Sequence, residues 1–283
     1  MKLSQLVLFG IAAMLFFSAE SPSQTADVKG ECISGNCVNG EGTLFFPDGR
    51  KYVGHFKNGK RDGTGTYTFP NGRVYTGDWK IDRRTGKGKI EYPNGDWYEG
   101  DFVDGKFQGQ GEYHYVNGEM YNGHWDADIR NGHGVQTWPD GRKYTGAWVD
   151  DVRTGAGEFA FPNGDRYVGE FRNGQFSGQG TLTWADGKTY SGEWQSGQPH
   201  GRGVATFMEK SRFEGTFVMG EYEGPGTWTF PDGGRYVGDW RKSRRSGRGT
   251  EYDKQGNMSR EGFWVEDKYQ GASITTIPEE QSR

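Results

Sequence analysis

Residues capable of acid–base or metal chemistry are few in this sequence and follow no common pattern. The five histidines are scattered, and only His55 and His124 share a setting, each after a Tyr-x-Gly segment. Neither a Gly-x-Ser-x-Gly nucleophile motif nor a metal-binding histidine pair at helical spacing is present. We therefore expect no catalytic site, no metal and no cofactor, and we do not expect an enzyme.

Cys32 and Cys37 are the only two cysteines in the sequence. A pair this close in an exported protein is typical of a small disulfide loop, here at the first edge of the folded region. Zinc binding is the alternative, although it requires two further ligands and none lies nearby in the sequence. We predict the disulfide.

Pairs of glycines separated by one residue recur along the chain, as in Gly63 and Gly65 or Gly86 and Gly88. Such pairs bind nucleotides when a helix follows, but here strand-like sequence follows. The net charge of −4 also argues against a nucleic-acid footprint. We expect no nucleic-acid partner.

The glycine pairs belong to a repeat of 23 residues, and a fixed period of this length indicates a repeat array. Each copy opens with an aromatic residue, followed by a glycine two residues on and by Phe or Trp four residues on. The opening aromatic residues are Tyr52, Tyr75, Tyr98, Tyr121, Tyr144, Tyr167, Tyr190, Phe213 and Tyr236. Residues 261–264 form a degenerate tenth copy. Most copies also carry Pro-Asn-Gly or Pro-Asp-Gly shortly before the next aromatic residue.

These features resemble the MORN (membrane occupation and recognition nexus) repeat over residues 40–271, in an exported array of the bacterial type. The resemblance implies protein–protein contact along a groove, often with self-association. Lipid binding is the role for which the family is named. Some MORN arrays accompany a lipid kinase or methyltransferase domain, but no residues remain here to build one.

The sequence of a single copy predicts a β-hairpin. Residues 66–69 and 75–79 alternate polar and aromatic residues, which is typical of half-buried strands. Pro-Asn-Gly at residues 70–72 predicts a type I turn with its glycine in the left-handed region, followed by a bulge. In this register Gly65 pairs with Gly77, and the gap beside them can hold neighbouring aromatic rings.

The predicted fold is all-β, an elongated single-layer antiparallel sheet of about ten stacked β-hairpins. A single hairpin cannot offset its own ordering entropy, so neighbouring copies must stabilise one another. We divide the chain into a signal peptide or N-terminal anchor (1–21), a linker (22–31), a disulfide-stapled N-cap (32–42), the repeat array (43–271) and a C-terminal tail (272–283).

The N-terminus predicts export. Lys2 precedes an apolar run at residues 3–17, which is shorter than a membrane-spanning helix and resembles a secretory signal. The bulky Phe17 stands where a cleavage site needs a small residue, so an uncleaved anchor stays open as an alternative. The expected location is periplasmic, extracellular or membrane-anchored through this run.

The two faces of the predicted sheet differ. One face carries the aromatic residues, most of which we expect in the core, with partly exposed ring tips lining a groove. The candidate groove residues are Tyr75, Trp79, Tyr98, Tyr121, Trp125, Tyr144, Trp148, Tyr167, Tyr190, Trp194, Tyr236 and Trp240. The other face carries acidic residues beside the central glycine, such as Asp78, Asp101 and Glu170, which we interpret as a solvated row.

Two departures from the repeat are informative. The eighth hairpin has Met-Glu-Lys-Ser at residues 208–211 in place of the usual turn, so we expect a different turn and a locally altered groove. The ninth carries the basic cluster, which could contact phospholipid headgroups or remain a solvated loop. The candidate headgroup residues are Arg241, Lys242, Arg244, Arg245 and Arg248.

The sequence thus favours a non-enzymatic repeat scaffold that binds a protein or peptide partner along the aromatic groove. That partner could be a second copy of the chain, giving a homodimer. The alternative is a glycan- or phospholipid-binding module of the cell envelope.

Overall fold

The computed structural model describes residues 29–273, which contain twenty-two β-strands and no helix. These residues form two compact units, one ending at Val152 and the other beginning at Arg153. This part of the chain offers no helix that could cross a membrane. The predicted export segment (1–21), most of the linker and most of the C-terminal tail lie outside the described residues.

The strands follow one another at nearly constant intervals. Those of the first unit are β1 Glu31–Gly35, β2 Gly40–Phe45, β3 Lys51–Lys57, β4 Lys60–Thr68, β5 Val74–Lys80, β6 Arg83–Glu91, β7 Trp97–Val103, β8 Lys106–His114, β9 Met120–Asp126, β10 Ile129–Thr137 and β11 Lys143–Val149. The remaining strands are β12 Val152–Ala160, β13 Arg166–Arg172, β14 Gln175–Thr183, β15 Thr189–Gln195, β16 Gln198–Thr206, β17 Arg212–Val218, β18 Glu221–Thr229, β19 Arg235–Arg241, β20 Arg244–Tyr252, β21 Met258–Val265 and β22 Lys268–Gly271.

Within each unit, every strand pairs antiparallel with the strands before and after it in the sequence. The prediction of an all-β array of antiparallel hairpins is therefore confirmed. Two strands lie beyond the ten expected hairpins. Strand β1 covers the free edge of β2, and the four-residue β22 pairs with β21 at the other end.

The hairpin turns have the predicted geometry. The Phe69 amide donates to the Arg73 carbonyl at 2.9 Å and the Gly72 amide donates to the Phe69 carbonyl at 3.0 Å. Gly72 has φ +82°, and Gly65 pairs with Gly77 as expected. These bonds define the type I turn with a left-handed glycine.

The expectation of a different turn in the eighth hairpin is wrong. The Phe207 amide donates to the Ser211 carbonyl and the Lys210 amide to the Phe207 carbonyl, both at 2.9 Å, as in the other copies. Lys210 takes the place of the glycine with φ 64°. The left-handed conformation costs a non-glycine residue roughly 1–2 kcal/mol, which the pairing of the flanking strands offsets.

At the other edge of the sheet, a two-residue turn joins the second strand of each hairpin to the first strand of the next. Both of its residues have positive φ, as at Ile81 (47°) and Asp82 (65°), which is the geometry of a type I′ turn. The Asp82 amide donates to the carbonyl of Arg61, 21 residues earlier, at 3.0 Å. Equivalent bonds link most successive turns, so this edge of each unit is a ladder of hydrogen bonds between repeats.

The structure joins Cys32 and Cys37 in a disulfide. Cys32 lies on β1 and Cys37 lies in the loop that leads to β2. Because all five side chains of β1 are exposed, packing alone holds this strand weakly, and the disulfide ties it to the array.

Candidate functional site

The aromatic face is organised around a row of paired glycines that runs from strand to strand through each unit and ends at β21. A tyrosine ring lies over most of these pairs, and the Phe213 ring lies over Gly215 and Gly226. A Cβ atom placed on Gly111 would be 2.2 Å from the Tyr98 hydroxyl oxygen and 2.4 Å from the ring. Only glycine leaves room for this ring, which is why the spacing of tyrosine and glycine is constant through the array.

Each tyrosine hydroxyl also has a fixed acceptor, the carbonyl three residues ahead in its own strand. The distance is 3.0 Å from Tyr98 to Asp101, 3.0 Å from Tyr121 to His124 and 2.8 Å from Tyr190 to Glu193. Burial of a hydroxyl group is therefore matched by a hydrogen bond.

Phe and Trp rings close the spaces between the tyrosines. The Tyr98 ring meets Phe102 and Trp125 edge to face, at centroid distances of 5.3 and 5.5 Å. The Trp125 indole N–H donates to the Gly111 carbonyl at 3.1 Å. A ring of one repeat is thus packed between rings of its own and the next repeat.

A further layer of side chains, not among the residues predicted from the sequence, covers the core rings. The residue two positions before a Gly-x-Gly pair covers aromatic rings of the core from outside, as Phe107 covers Tyr98 and Tyr222 covers Phe213. The residues at this position, called the lid here, are Arg61, Arg84, Phe107, Arg130, Arg153, Phe176, Pro199, Tyr222 and Arg245. Phe107 stacks on Tyr98 with centroids 3.7 Å apart, and the Arg130 guanidinium lies 4.4 Å from the Trp148 centroid. The 23-residue spacing of the lid is the signal that could have found it.

The predicted groove residues are consequently in the core. The twelve rings are Tyr75, Trp79, Tyr98, Tyr121, Trp125, Tyr144, Trp148, Tyr167, Tyr190, Trp194, Tyr236 and Trp240. The tyrosines are 0% exposed and the tryptophans at most 7%. The structure brings all of them together within their units, but as packed core, because the glycine row lets each ring lie flat and the lid covers it. They do not line an open groove.

Burial also affects the protonation of the tyrosines. Desolvation raises the pKa of Tyr121 and of Tyr236 to about 12, and the positive charges of Arg130 and Arg245 offset this only in part. Burial raises the pKa of Tyr98 in the same direction. The neutral hydroxyl is therefore the form that the core holds.

The acidic row on the outer face is more than a solvated row. Asp78 accepts a hydrogen bond from the Lys87 amide at 2.9 Å, and Glu193 accepts one from the Arg202 amide at 2.8 Å. These amides belong to the middle residue of Gly-x-Gly, where the strand bulges and its ladder is interrupted. The carboxylates therefore satisfy backbone donors that the bulge leaves without a strand partner.

Partly exposed aromatic rings remain at the edge of the aromatic face. Each lies directly after the first strand of a hairpin and directly before its turn. We call these half-buried residues the turn row: Phe46, Phe69, Tyr92, Tyr115 and Trp138 in the first unit, and Phe161, Trp184 and Phe230 in the second. Their inner edges pack on core rings, as between Phe69 and Tyr67 at 4.6 Å.

The ninth-hairpin basic cluster is largely engaged within the protein. Arg245 lies 4.1 Å over Trp264 and bonds both Asp267 and Glu251. Arg244 pairs with Glu266 at 3.0 Å. Lys242 is in the two-residue turn, and Arg248 lies 5.5 Å from the Phe263 centroid. Arg241 also has a partner within the chain.

Within residues 29–273, no group of three or more His, Cys, Asp or Glu side chains is placed to hold a metal ion. The histidines are separated as their spacing suggested. His124, for example, contacts the Asn131 carbonyl at 3.0 Å through Nδ1.

Nine successive segments of the chain match the MORN repeat family model. They are residues 52–72, 75–97, 98–120, 121–141, 144–166, 167–189, 190–211, 213–235 and 236–258. These matches cover more than half of the chain, so the protein belongs to the MORN repeat family. No curated protein matches the chain.

Solved structures resemble the chain only distantly. The TCP domain of Drosophila melanogaster SAS-4, in complex with a proline-rich motif of Ana2, is 14% identical with a TM-score of 0.37, and the match covers 65% of this chain and 94% of that chain. The wild-type TCP10 domain of Danio rerio CPAP is 15% identical with a TM-score of 0.28, covering 78% and 99%. Virginiamycin B lyase from Staphylococcus aureus reaches 8% identity and a TM-score of 0.15, covering 82% and 72%. Likenesses this weak support no argument about function.

Proposed function

We propose that the protein is a non-enzymatic scaffold that binds a protein or peptide partner in an exported compartment. MORN repeats are generally non-catalytic, and the nine matched copies account for most of the folded chain. The observation that carries the proposal is the turn row, a periodic series of half-buried aromatic rings beside a closed aromatic core.

Because the core is closed, we expect a partner to contact the turn row and not the core rings. A partner cannot reach the Tyr98 or Trp125 rings without first displacing the lid, since these rings are 0% and 4% exposed. The turn row needs no such rearrangement. Rings that are rigidly packed on one side and open on the other are the kind of anchor that protein interfaces favour.

Several adjacent turns within a unit also lie close enough together to support one partner. A Cβ atom placed on Gly72 would lie 3.1 Å from Pro93, so one turn is in contact with the next. Arginines flank part of the row, with Arg73 at 4.9 Å from the Phe69 centroid and Arg50 at 4.5 Å from that of Phe46. The surface therefore combines apolar ring edges with hydrogen-bond donors. A peptide, a folded protein or a second copy of this chain could use it.

Export is supported by the apolar run at residues 3–17 and by the exposed disulfide. Disulfides persist in oxidising compartments. Alkylation of thiols in intact cells should leave Cys32 and Cys37 unmodified until a reductant is added, and rapid alkylation without reductant would contradict export.

A phospholipid-headgroup site at the ninth hairpin receives less support. Arg244 and Arg245 already have carboxylate partners, and Arg245 stacks on the core. An anionic surface would have to compete with these pairs.

Photo-crosslinking tests where the partner binds. We would place p-benzoylphenylalanine at Phe69 or Tyr92 of the turn row, and at Val53 or Val103 as outer-face controls, which are 44% and 52% exposed. The proposal predicts a discrete adduct with a protein from the turn-row positions only. Mass spectrometry would show whether the captured chain is a second copy or another protein. Adducts from the control positions alone, or none at any position, would contradict it.

A further inference from the structure

The outer face of strands β6 to β9 differs from the outer face elsewhere in the array. A cleft of about 690 Å³ opens there, within the size range of small-ligand sites. Its side chains include Lys89, Trp97, Glu99, Gln110, Glu112 and Asn122. We call it the outer-face cleft. It lies on the opposite side of the sheet from the aromatic core.

The residues of the cleft depart from the repeat. Lys89, Glu99, Glu112 and Asn122 face one another in a single cross-strand row. The same row in the second unit includes Glu158, Val168, Thr181, Ser191, Val204 and Glu214, and none of these carboxylates lies opposite another. Small or β-branched residues suit an exposed sheet, whereas Glu99 directly opposite Glu112 is unfavourable for strand pairing. A row that departs from the pattern at a cost to the sheet is a candidate binding site.

Trp97 is a second departure at the same place. Its row in the second unit consists mainly of Thr and Arg, as at Arg166, Thr183, Thr189 and Thr206, and contains no tryptophan, although Tyr252 lies near its end. The Trp97 ring stacks on His114 with centroids 3.8 Å apart and planes 13° apart, which fixes its orientation. The ring is half-buried, and it is the tryptophan that the structure places in the cleft.

Some polar groups of the cleft have partners and others do not. The Glu112 carboxylate accepts a hydrogen bond from Asn122 at 3.0 Å and also contacts the His114 imidazole. Lys89 pairs with Glu91 at 2.9 Å. Within residues 29–273, the Glu99 carboxylate has no ion pair or hydrogen bond, although its side chain is exposed in the cleft.

The charges of the cleft nearly cancel. Lys87 and Lys89 contribute two positive charges, and Glu99 and Glu112 contribute two negative ones. Such a site favours neither a phosphorylated ligand nor a strongly basic peptide. It offers ammonium and amide donors, carboxylate acceptors and the indole ring, all within one open concavity.

We infer that the outer-face cleft binds a neutral oligosaccharide. Sugar hydroxyls both donate and accept hydrogen bonds, so they match a mixed set of carboxylate, amide and ammonium groups. The apolar C–H face of a sugar ring can lie against Trp97. The Lys89 ammonium is 4.9 Å from the Trp97 centroid, so it lies beside the ring that the sugar would contact. Its side chain is 39% exposed, and a sugar hydroxyl would compete with Glu91 for the ammonium group.

Calorimetric titration of the full chain tests the inference with four neutral probes: cellohexaose, maltohexaose, xylohexaose and chitohexaose. We expect at least one to bind. Trp97→Ala and Glu99→Gln should each weaken that binding at least tenfold. Thr189→Ala, at the Trp97 position of another hairpin, should leave it unchanged. Glu99→Gln keeps the side-chain shape and should melt with the parent protein, so its loss of binding could not be a loss of fold.

Three results would overturn the oligosaccharide site: no binding of any neutral probe, binding that both cleft variants retain, or binding of a charged heparin hexasaccharide alone. None of these bears on the turn row, since the crosslinking experiment uses other residues. The two proposals can therefore fail separately.

Discussion

The two faces of the first unit are made from the same strands, yet they tolerate very different sequences. On the core face, the glycine row and the tyrosines above it recur in every copy, because a ring in contact with backbone leaves no space for another residue. On the outer face, Thr66 and Thr76 give way two strands later to Lys89 and Glu99. The residues are constant on the face where copies stabilise one another. They vary on the outer face, which is therefore the face that can acquire a function.

High pH should produce the largest effect, because it acts on the core face as a whole. The pKa of Tyr121 is about 12 in the folded protein and about 10 in an unfolded chain. The folded state thus holds its protons more tightly, so this contribution to stability is complete below pH 10 and is lost as pH rises toward 12.

We therefore expect cooperative unfolding in this range, followed by circular dichroism, with tyrosinate absorbance rising in the same transition. Ionisation of the row near pH 10 with the fold intact would show that the core face is open to water.

Replacement of a core-face glycine should have the next largest effect. A side chain at Gly111 would occupy the space of the Tyr98 ring, so Gly111→Val should lower the free energy of unfolding by about 3 kcal/mol. Gln110→Ala changes the neighbouring residue on the outer face and should stay within about 0.5 kcal/mol. Denaturant midpoints measure both. Equal losses would remove the distinction between the faces.

A lid position should tolerate another large side chain, but not one too small to cover the ring beneath it. Arg130→Ala removes the guanidinium over Trp148 and its 2.8 Å contact with Asp151, and should cost about 2 kcal/mol. Arg130→Phe should cost less than half as much, since Phe107 occupies the same position in another copy. If the two variants are equally destabilised, the ion pair rather than the stacked plane holds the lid in place.

An outer-face substitution should have the smallest effect. Thr66→Val removes a hydroxyl that contacts the Thr76 hydroxyl at 3.1 Å, and should change stability by less than about 0.5 kcal/mol. Thermal melting provides the comparison. A loss above about 1 kcal/mol would mean that the outer face also carries part of the fold.

The two ends of the hairpins show how much of the fold could be predicted. At one end, proline, asparagine or aspartate, and glycine each meet a specific backbone requirement, so turn type and register followed from the residues. At the other end, pairs as different as Ile81-Asp82 and Ala127-Asp128 adopt the same positive φ angles. Neither pair is a type I′ sequence. Hydrogen bonds to the preceding repeat, such as Arg61 N–H to Asp82 at 3.0 Å, stabilise the turn and require the assembled array.

Some contacts between repeats could have been predicted from pairs of residues. Val116 replaces the usual turn proline and so presents an amide N–H, which Asp96 of the preceding turn accepts at 2.7 Å. Ala185 and Asp165 repeat this arrangement at 2.8 Å. An acidic residue thus precedes a turn without proline by 20 residues in both places.

The candidate groove was harder to predict, because periodicity shows that rings share a face but not whether they cover one another. Burial of Tyr98 depends on Phe107, which lies on another strand and does not belong to the opening aromatic pattern. The outer-face cleft lacks periodicity altogether. Only its place among four paired strands brings Trp97, Glu99 and Glu112 together.

Hydroxyl-radical footprinting of the purified protein tests the closed core most directly, because it reports side-chain access residue by residue. We expect strong protection of Tyr75, Tyr98 and Trp125, with oxidation of Trp97 on the outer face and of Phe69 in the turn row. Oxidation of Tyr98 and Trp125 at the rate of Trp97 would contradict the closed core, and would restore the aromatic face as an open groove.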